Sequence, residues 1–579
     1  MRRKSHNNPD TLVPKAPSFN CPNSDPYSEP SHTANVNTPS ILFQFTGGDS
    51  PLVRSQAALL LSFFTSKEEP QAASLWLSHA IQDGTVACSQ QCDHMDYENR
   101  SEQDSVQNRL WWSILLRDRS LSLGLRRRAK VLSLELGMIK DLPKKEEFAA
   151  EINGSHVYDS NTKDTLFQVF QKQCQLAILL TEMVSLVFGT HGLSLPVLTP
   201  ESLHDTLLIL NKTKTSLALW KRASSISSFT KANVHNAVVN FAQFTMMHYH
   251  GARMDLAHYE AFLIEKHSNF VGPDYAYRMS HVGNILLDAT TKLVSIMQYF
   301  NEKGHIQSFP LALLGHVAMP LVLSAINFKL SSSEPEMIAR RECLQLLGEL
   351  MSHSRRFYYI GDFISSQTDV ILKLAYLTSQ EIFAQDTPDS LSESHREHGY
   401  SLTDTARSRS EIPIVKGPAK NWHDAFLRYP RAYLLISTTI DYFFSVGRLP
   451  QDNSLPELVR SMPPMGRIKL PWASQTEFSG KKLKRKQSKL NIEKKRARLS
   501  VMSSTAPHSS EDQTDHQDNT LNLDYLPISA LFNAKGLCPD PKTELPASES
   551  GENFGVEEEE DPWDLTEATI AYDEFISTL

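Results

Sequence analysis

The sequence predicts an all-α fold: one large helical domain of helix pairs or a bundle, with disordered N- and C-terminal regions. Three observations carry this. Long stretches in the middle of the chain repeat apolar residues at helical spacing. Strand-like alternation is hard to find, and no fixed repeat period links the helices. The two ends are instead diluted by proline, serine, asparagine and acidic residues and hold few large apolar side chains, too few to offset the entropy of ordering them.

Residues 1–50 are therefore read as a disordered segment. From Ser50, "VRSQAALLLSFFTSKEEPQAASLWLSHAIQDG" contains two apolar runs split by a polar turn, which predicts an antiparallel helix pair. In the second run Ala73, Trp76, Leu77, Ala80 and Ile81 recur at helical spacing, and Gly84 is placed as its C-cap. Helical spacing returns at 164–189, 233–267, 279–304 and 336–377, so the helical domain is drawn from 51 to 380. A polar linker follows at 381–420, an accessory helical segment at 421–450 and a disordered linker at 451–550. The last segment, 551–579, is an acidic and hydrophobic tail.

The formal net charge of −8 hides an asymmetry, because basic and acidic excesses occupy separate segments near the C-terminus. The cysteines, Cys21, Cys88, Cys92, Cys174, Cys343 and Cys538, are too scattered for a disulfide framework and suit a reducing compartment. "MRRKSHNNPDTLVPK" has no apolar run behind its positive charge, unlike a secretory signal. The uncharged stretch from Ser308 to Phe328 approaches the length of a membrane span. His316 and Pro320 lie in its middle and no aromatic belt marks its edges, so it is read as a buried core helix and no membrane partner is expected.

The run "QNRLWWSILLRDRSLSLGLRRR", from Gln107 to Arg128, raises a physical question. On a helical wheel Leu110, Trp111, Ile114, Leu115, Asp118 and Leu121 share a face, so Asp118 lies inside an apolar stripe and needs a cation and hydrogen bonds. Arg117 and Arg119 project elsewhere and Arg109 lies opposite, so the expected partner is Arg126, Arg127 or a residue of another helix. Trp111 and Trp112 are about 100° apart, which predicts one ring in the core and the other over a groove edge. No nucleophile and base pair occurs here, so the bland reading is an amphipathic core helix with a buried ion pair.

These residues resemble the signature of the fungal-specific transcription factor domain, the middle homology region that follows a binuclear zinc cluster in many fungal regulators. "QAALLLSFF" and "PQAASLWLSHAIQDG" resemble the helix pair preceding that signature, and the "RDR" and "GLRRR" ending is most similar to the cutinase transcription factor branch. The resemblance spans about residues 45–330, and Arg109, Trp111, Trp112, Asp118, Arg119 and Ser122 match its motif. It implies a helical regulatory domain in a transcription regulator, not an enzyme. Two departures stand out: Arg127, Arg128 and Ala129 replace the family's arginine-proline pair, and residues 1–50 carry only Cys21 where the zinc cluster needs six cysteines. No zinc or other cofactor is therefore expected.

"CSQQCDH", with Cys88, Cys92 and His94, lacks a second ligand pair for zinc, and "HREHG" at 395–399 spaces its histidines for no zincin. His248, His250 and His258 are read as scattered over a helix surface. "KKLKRKQSKLNIEKKRAR", 481–498, gathers Lys481, Lys482, Lys484, Arg485 and Lys486, then Lys494, Lys495, Arg496 and Arg498, which resembles a bipartite nuclear import signal. The null is a solvated basic linker. In the tail, Trp563, Leu565, Tyr572 and Phe575 interleave with acids, a composition suited to docking on a coactivator groove; the null is a solubilising tail.

Together these readings lead to the expectation of a nuclear fungal regulator of a metabolic gene set, either secondary metabolism or carbon and lipid catabolism. Its expected partners are coactivators, DNA directly or through a zinc cluster partner, and a homo- or heterodimer mate. The alternative is a cluster-less interaction protein that inhibits or modulates a full-length relative.

Overall fold

The computed structural model describes residues 50–460 apart from 65–70, 92–96, 132–138, 140, 190–196, 231–233, 306–308, 359, 385–417 and 452–453. The expectations for 1–49, for most of the linker at 381–420, for the import segment 481–498 and for the tail 551–579 lie outside these residues. Of the described residues 84% are helical and none is in a strand, so the fold is all-α.

The main helices are α1 (Pro51–Leu61), α2 (Ala72–Gln91), α3 (Tyr97–Gly124), α4 (Ser160–Phe188), α5 (Pro200–Ser224) and α6 (Asn236–Lys266). They continue with α7 (Tyr275–Glu302), α8 (Leu314–Lys329), α9 (Glu334–Phe357), α10 (Gly361–Thr378), α11 (Trp422–Arg428) and α12 (Pro430–Val446). Their starts follow local chemistry. Ser50, Asp159, Thr199 and Asn421 each accept a backbone N–H of the first turn, and Pro51, Pro200 and Pro430 occupy first positions where no N–H is missed. α12 stops at Gly447, whose φ of 75° only glycine adopts without strain.

α1 and α2 form the predicted antiparallel pair, closed on α3. Gly84 is not a cap; it lies inside α2, where a Cβ would sit 3.2 Å from Ser55 Oγ and 3.4 Å from the Trp111 ring. The missing side chain lets α1 and the tryptophan approach, which is why a glycine there does not end the helix. The run at 336–377 is two helices, with the chain turning at Tyr358 and Ile360. α5 was not among the sequence-predicted helices.

α6 is the axis. It packs against α3, α4, α5, α7 and α12, and nearly every residue from Thr245 to Glu265 is buried. α8 is the second buried helix: every residue from Leu314 to Ile326 is inside, so the apolar stretch is a core helix wrapped by α3, α7, α9, α10, α11 and α12. By length and composition alone it would also suit a bilayer, but 78% of its most apolar window is buried in protein. α11 and α12, expected as an accessory segment, belong to the same compact unit and the same core: Trp422, Phe426, Tyr433 and Phe443 pack with the residues of α6, α7 and α8.

α3 and α8 cross at two glycines. A Cβ on Gly315 would lie 2.3 Å from the Gly124 carbonyl oxygen, and one on Gly124 would lie 2.5 Å from the Ala312 carbonyl oxygen. Both obstacles are backbone and neither can rotate away. Gly315→Ala is expected to lower stability by about 1–3 kcal/mol through forced separation of the two helices. Gly154→Ala, at a site with nothing within 4 Å of the new methyl, should leave stability unchanged or slightly raised. Urea unfolding of the two variants beside the parent checks this.

Candidate functional site

Helix α3 delivers Arg117, Asp118, Arg119 and Ser122 into the core rather than to the surface. Both tryptophans are buried, each 1% exposed, so neither ring lies over an open groove. Trp111 Nε1 donates to Cys88 Sγ at 3.2 Å, and that thiol lies 3.5 Å from Gln107 Oε1. Trp112 Nε1 donates to the Asp141 carbonyl at 2.9 Å. The wheel predicted an edge for one ring because it sees only one helix. The chain from 141 to 148 crosses back over α3, held by Gln171 donating to the Pro143 carbonyl and by Arg109 donating to the Glu147 carbonyl, both bonds within 2.9 Å. Arg109 also lies 5.6 Å from the centre of the Phe148 ring.

Asp118 is 2% exposed, as its place in the apolar stripe requires, but its cation is the adjacent Arg119 rather than Arg126 or Arg127. Wheel directions describe the Cα–Cβ bond, and a guanidinium on three methylenes can fold back along its own helix. The carboxylate also accepts from the backbone N–H groups of Lys130, at 3.0 and 3.2 Å, and Val131, at 3.1 Å. It thereby ties down the chain leaving α3. Burial pushes the carboxyl up, and Arg119 and the two amides offset only part of that rise. Arg119 spends its remaining donors on Thr181 Oγ1 of α4, at 2.8 and 3.2 Å, and on the Val131 carbonyl at 3.2 Å. Arg117, drawn down to about 10 by burial and still a cation at neutral pH, donates to Ser62 at the end of α1.

Arg126 closes the helix. With φ of 51° it takes the left-handed cap position where glycine is usual, and Arg127 N donates to the Ser122 carbonyl at 3.0 Å to complete the cap. Ser122 is itself buried beside this turn. The strain of about 1–2 kcal/mol at a left-handed non-glycine residue is offset by where the side chain then points. Its guanidinium donates to the Leu123 carbonyl at 2.8 Å and to Asp255 of α6 at 2.6 Å, and its Nε lies 3.2 Å from Asp441 of α12. Next to it Arg127 donates to the Ser445 carbonyl at 3.1 Å and to Ser74 Oγ at 2.9 Å. Two consecutive arginines thus join α3 to α2, α6 and α12.

One cation between two acids cannot balance both. Burial, followed by the charge of Asp441, pushes Asp255 up to about 8 against the pull of Arg126. Asp441 is raised too, but its side chain is 28% exposed, so the retained proton is assigned to the wholly enclosed Asp255.

The charges of α6 reach in other directions as well. Arg253 pairs with Asp288 of α7, Glu260 with Lys214 of α5, and Glu265 with Arg431 of α12 and the hydroxyl of Tyr275. The histidines expected on a helix surface are not there: His250 and His258 are buried and His248 is half-buried, because α6 is enclosed on nearly all sides. His258 is hydrogen-bonded to the Tyr433 hydroxyl at 2.9 Å, and His248 meets His316 of α8 at 3.4 Å. Desolvation holds all of them neutral, with His248 near 4 and His258 near 3. Gly251 makes room for the His316 ring, which lies 2.4 Å from where a Cβ would stand.

Sequence reasoning placed Trp111 and Asp118 in the core but missed Asp255, Glu260, Glu265 and Asp441. The available signal was acids spaced along α6 among polar side chains that gather on no single face. Among the described residues no three His, Cys, Asp or Glu side chains are grouped to hold a metal ion; Cys92, His94 and the 395–399 stretch lie outside them. Chemically the cluster can pair charges, retain a proton and lock helices together. No protein-family model, curated protein or solved structure matches the chain.

Trp111→Ala and Trp112→Ala are each expected to cost about 3–5 kcal/mol in urea unfolding, as truncations of buried indoles. The acid cluster predicts a pH dependence with a defined sign. Above pH 7.5 the histidines are almost all neutral in both states, whereas Asp255 is ionised when unfolded and still partly protonated in the native core through about pH 8. The native state then binds the extra proton, so stability falls as pH rises from 7.5 to 9, by about 0.5–1 kcal/mol. Asp255→Asn should flatten that slope in denaturation curves taken across the window.

Proposed function

We propose that the chain is a nuclear transcriptional regulator of the fungal middle-homology type, whose residues 1–50, with Cys21 alone, hold no binuclear zinc cluster. The observation carrying this reading is the arrangement of the signature. Of the positions that resemble the family motif, Trp111, Trp112, Asp118, Arg119 and Ser122 are buried in an all-α domain and Arg109 pins the chain that crosses over α3. None of them stands in a nucleophile and base arrangement. In this reading the helical domain is the regulatory body. Residues 481–498 direct nuclear import, and the tail at 551–579 recruits coactivators through Trp563, Leu565, Tyr572 and Phe575. The regulator reaches a metabolic gene set on a DNA-bound partner, and the basic segment adds salt-sensitive phosphate contacts without reading bases.

The test is a tethered reporter. Residues 551–579 fused to a foreign DNA-binding domain are expected to activate transcription, and replacing the four apolar side chains by alanine should abolish activation while the acids remain. A fusion that stays silent, although present in the nucleus at the parent's level, sinks the activator reading. It would favour an interaction protein that modulates a cluster-bearing relative.

A further inference from the structure

α5 and α7 both run antiparallel to α6. Lys214 with Glu260 and Lys221 over Tyr249 fix the first register, and Arg253 with Asp288 and Tyr299 with Asn240 fix the second. Each packs along α6, and among the described residues the two barely touch each other. The strip of α6 between them carries Tyr249, His250 and Arg253, each no more than 2% exposed. Charge along this crevice is one-sided. From 207 to 224 α5 holds Lys212, Lys214, Lys221 and Arg222 and no acid, and from 275 to 298 α7 holds Arg278 and Lys292 against Asp288 alone. The acids of α6 are turned elsewhere: Asp255 to Arg126, Glu260 to Lys214 and Glu265 to Arg431. At the level of His250 three cations therefore face one carboxylate. Arg253 Nη1 lies 3.4 Å from His250 Nδ1, its guanidinium 5.7 Å from the centre of the Tyr249 ring, and Lys221 Nζ 6.0 Å from the same ring. Burial, and then the charges of Arg253, Lys221 and Lys292, hold His250 far below its ordinary value and neutral. Two buried polar groups at this level have no hydrogen-bond partner among the described residues. They are Trp220 Nε1, whose indole packs 5.6 Å from the Tyr249 ring, and Thr290 Oγ1, which the register of α6 and α7 sets level with His250. An indole N–H taken out of water with nothing in return calls for an acceptor. Lys221, Asp288 and Lys292 are half-buried, so the rim of the crevice opens to water.

We infer that this level of the crevice is a phosphate-binding site, which takes inorganic phosphate or the phosphate group of a monoester between Lys221, Arg253 and Lys292. Three cations less one carboxylate leave two positive charges, the complement of a dianion. Compactness selects phosphate over a dicarboxylate. The cations come from three helices onto one histidine and one tyrosine ring, and a dicarboxylate would carry its second charge past them. Phosphate oxygens accept equally from an ammonium, a guanidinium and the Trp220 N–H. A nucleic-acid backbone fits less well, because Arg253 and Trp220 are wholly enclosed and out of reach of a duplex. The inference goes beyond the regulatory reading and does not depend on it.

Titration calorimetry of the full chain at constant ionic strength tests it, with inorganic phosphate, phenyl phosphate, succinate and a DNA duplex as titrants. Phosphate is expected to bind saturably at one site per chain, and succinate about 10-fold more weakly or worse. Lys221→Gln and Lys292→Gln should each weaken phosphate binding about 10-fold or more, with melting unchanged. Lys420→Gln, at an exposed position beside α11, should leave it intact. Phenyl phosphate bound more tightly than phosphate makes a monoester the occupant, and equal or weaker binding makes it the free ion. Absence of saturable phosphate binding up to about 10 mM overturns the inference. So do binding indifferent to both lysine substitutions, a preference for succinate, and a duplex that takes the same lysines more tightly. Should both variants misfold, the parent decides by nuclear magnetic resonance. Phosphate must move the Trp220 indole N–H signal, assigned through its contacts with the Tyr249 ring, and leave those of Trp111 and Trp112 in place; a Trp220 signal that stays put rejects the site.

Discussion

Arg119, Arg126 and Arg253 are shut almost wholly away from water, and each is tolerable only because a carboxylate, Asp118, Asp441 and Asp288 in turn, waits beside it. An unpaired buried charge costs several kcal/mol, comparable with a large part of a domain's net stability. The pairing therefore acts as a constraint on every helix that supplies a partner. Apolar ridges would let α6 slide by one turn, about 5.4 Å, against its neighbours and still bury leucines and methionines. Such a slide would part Asp255 from Arg126, Arg253 from Asp288, Glu260 from Lys214 and Glu265 from Arg431 at the same time. The ion pairs contribute less to stability than to register: hydrophobic burial makes the bundle compact, and the charges leave it one alignment.

How much of this was legible beforehand depended on whether a feature belongs to one helix or to several. The 3.6-residue period lies within a segment, so the long helices and the all-α class could be read directly. Trp111 and Asp118 were assigned to the core because their own stripe is apolar. Their partners could not be assigned in the same way. The cover over Trp112 comes from a chain crossing at 141–148, and the Asp118 cation is a neighbour whose length, not direction, decides its reach. His250 and His258 looked like surface residues because α6 carries polar side chains on every side, and enclosure by five other helices leaves no trace in its own sequence. α5 was overlooked for the opposite reason: its outer face is polar enough to dilute the apolar period, although the Thr199 and Pro200 start signal stands in plain view.

The two consecutive arginines after α3 each tie together helices that are distant in sequence. Where the resemblance leads one to expect a proline, Arg127 and Arg128 continue the chain, and Arg127 spans from α2 to α12. A proline ring there could bond to neither helix. The cap at Arg126 accepts a left-handed backbone so that its guanidinium can enter the same junction. Under the proposed regulatory reading, the C-terminal part of the domain is thereby fastened to its signature helix, and a stretch of more than thirty residues, 385–417, is inserted between the fastened parts.

The contact of Arg127 with Ser445 joins residues 318 apart in sequence. On the ribosome, α3 leaves the exit long before α12 is made. In the interval Arg126 has no Asp441, and the core surface that will receive Tyr433 and Phe443 stands open to water. The contacts that fasten α3 to α12 can therefore form only after α12, near the end of the described domain, has been made.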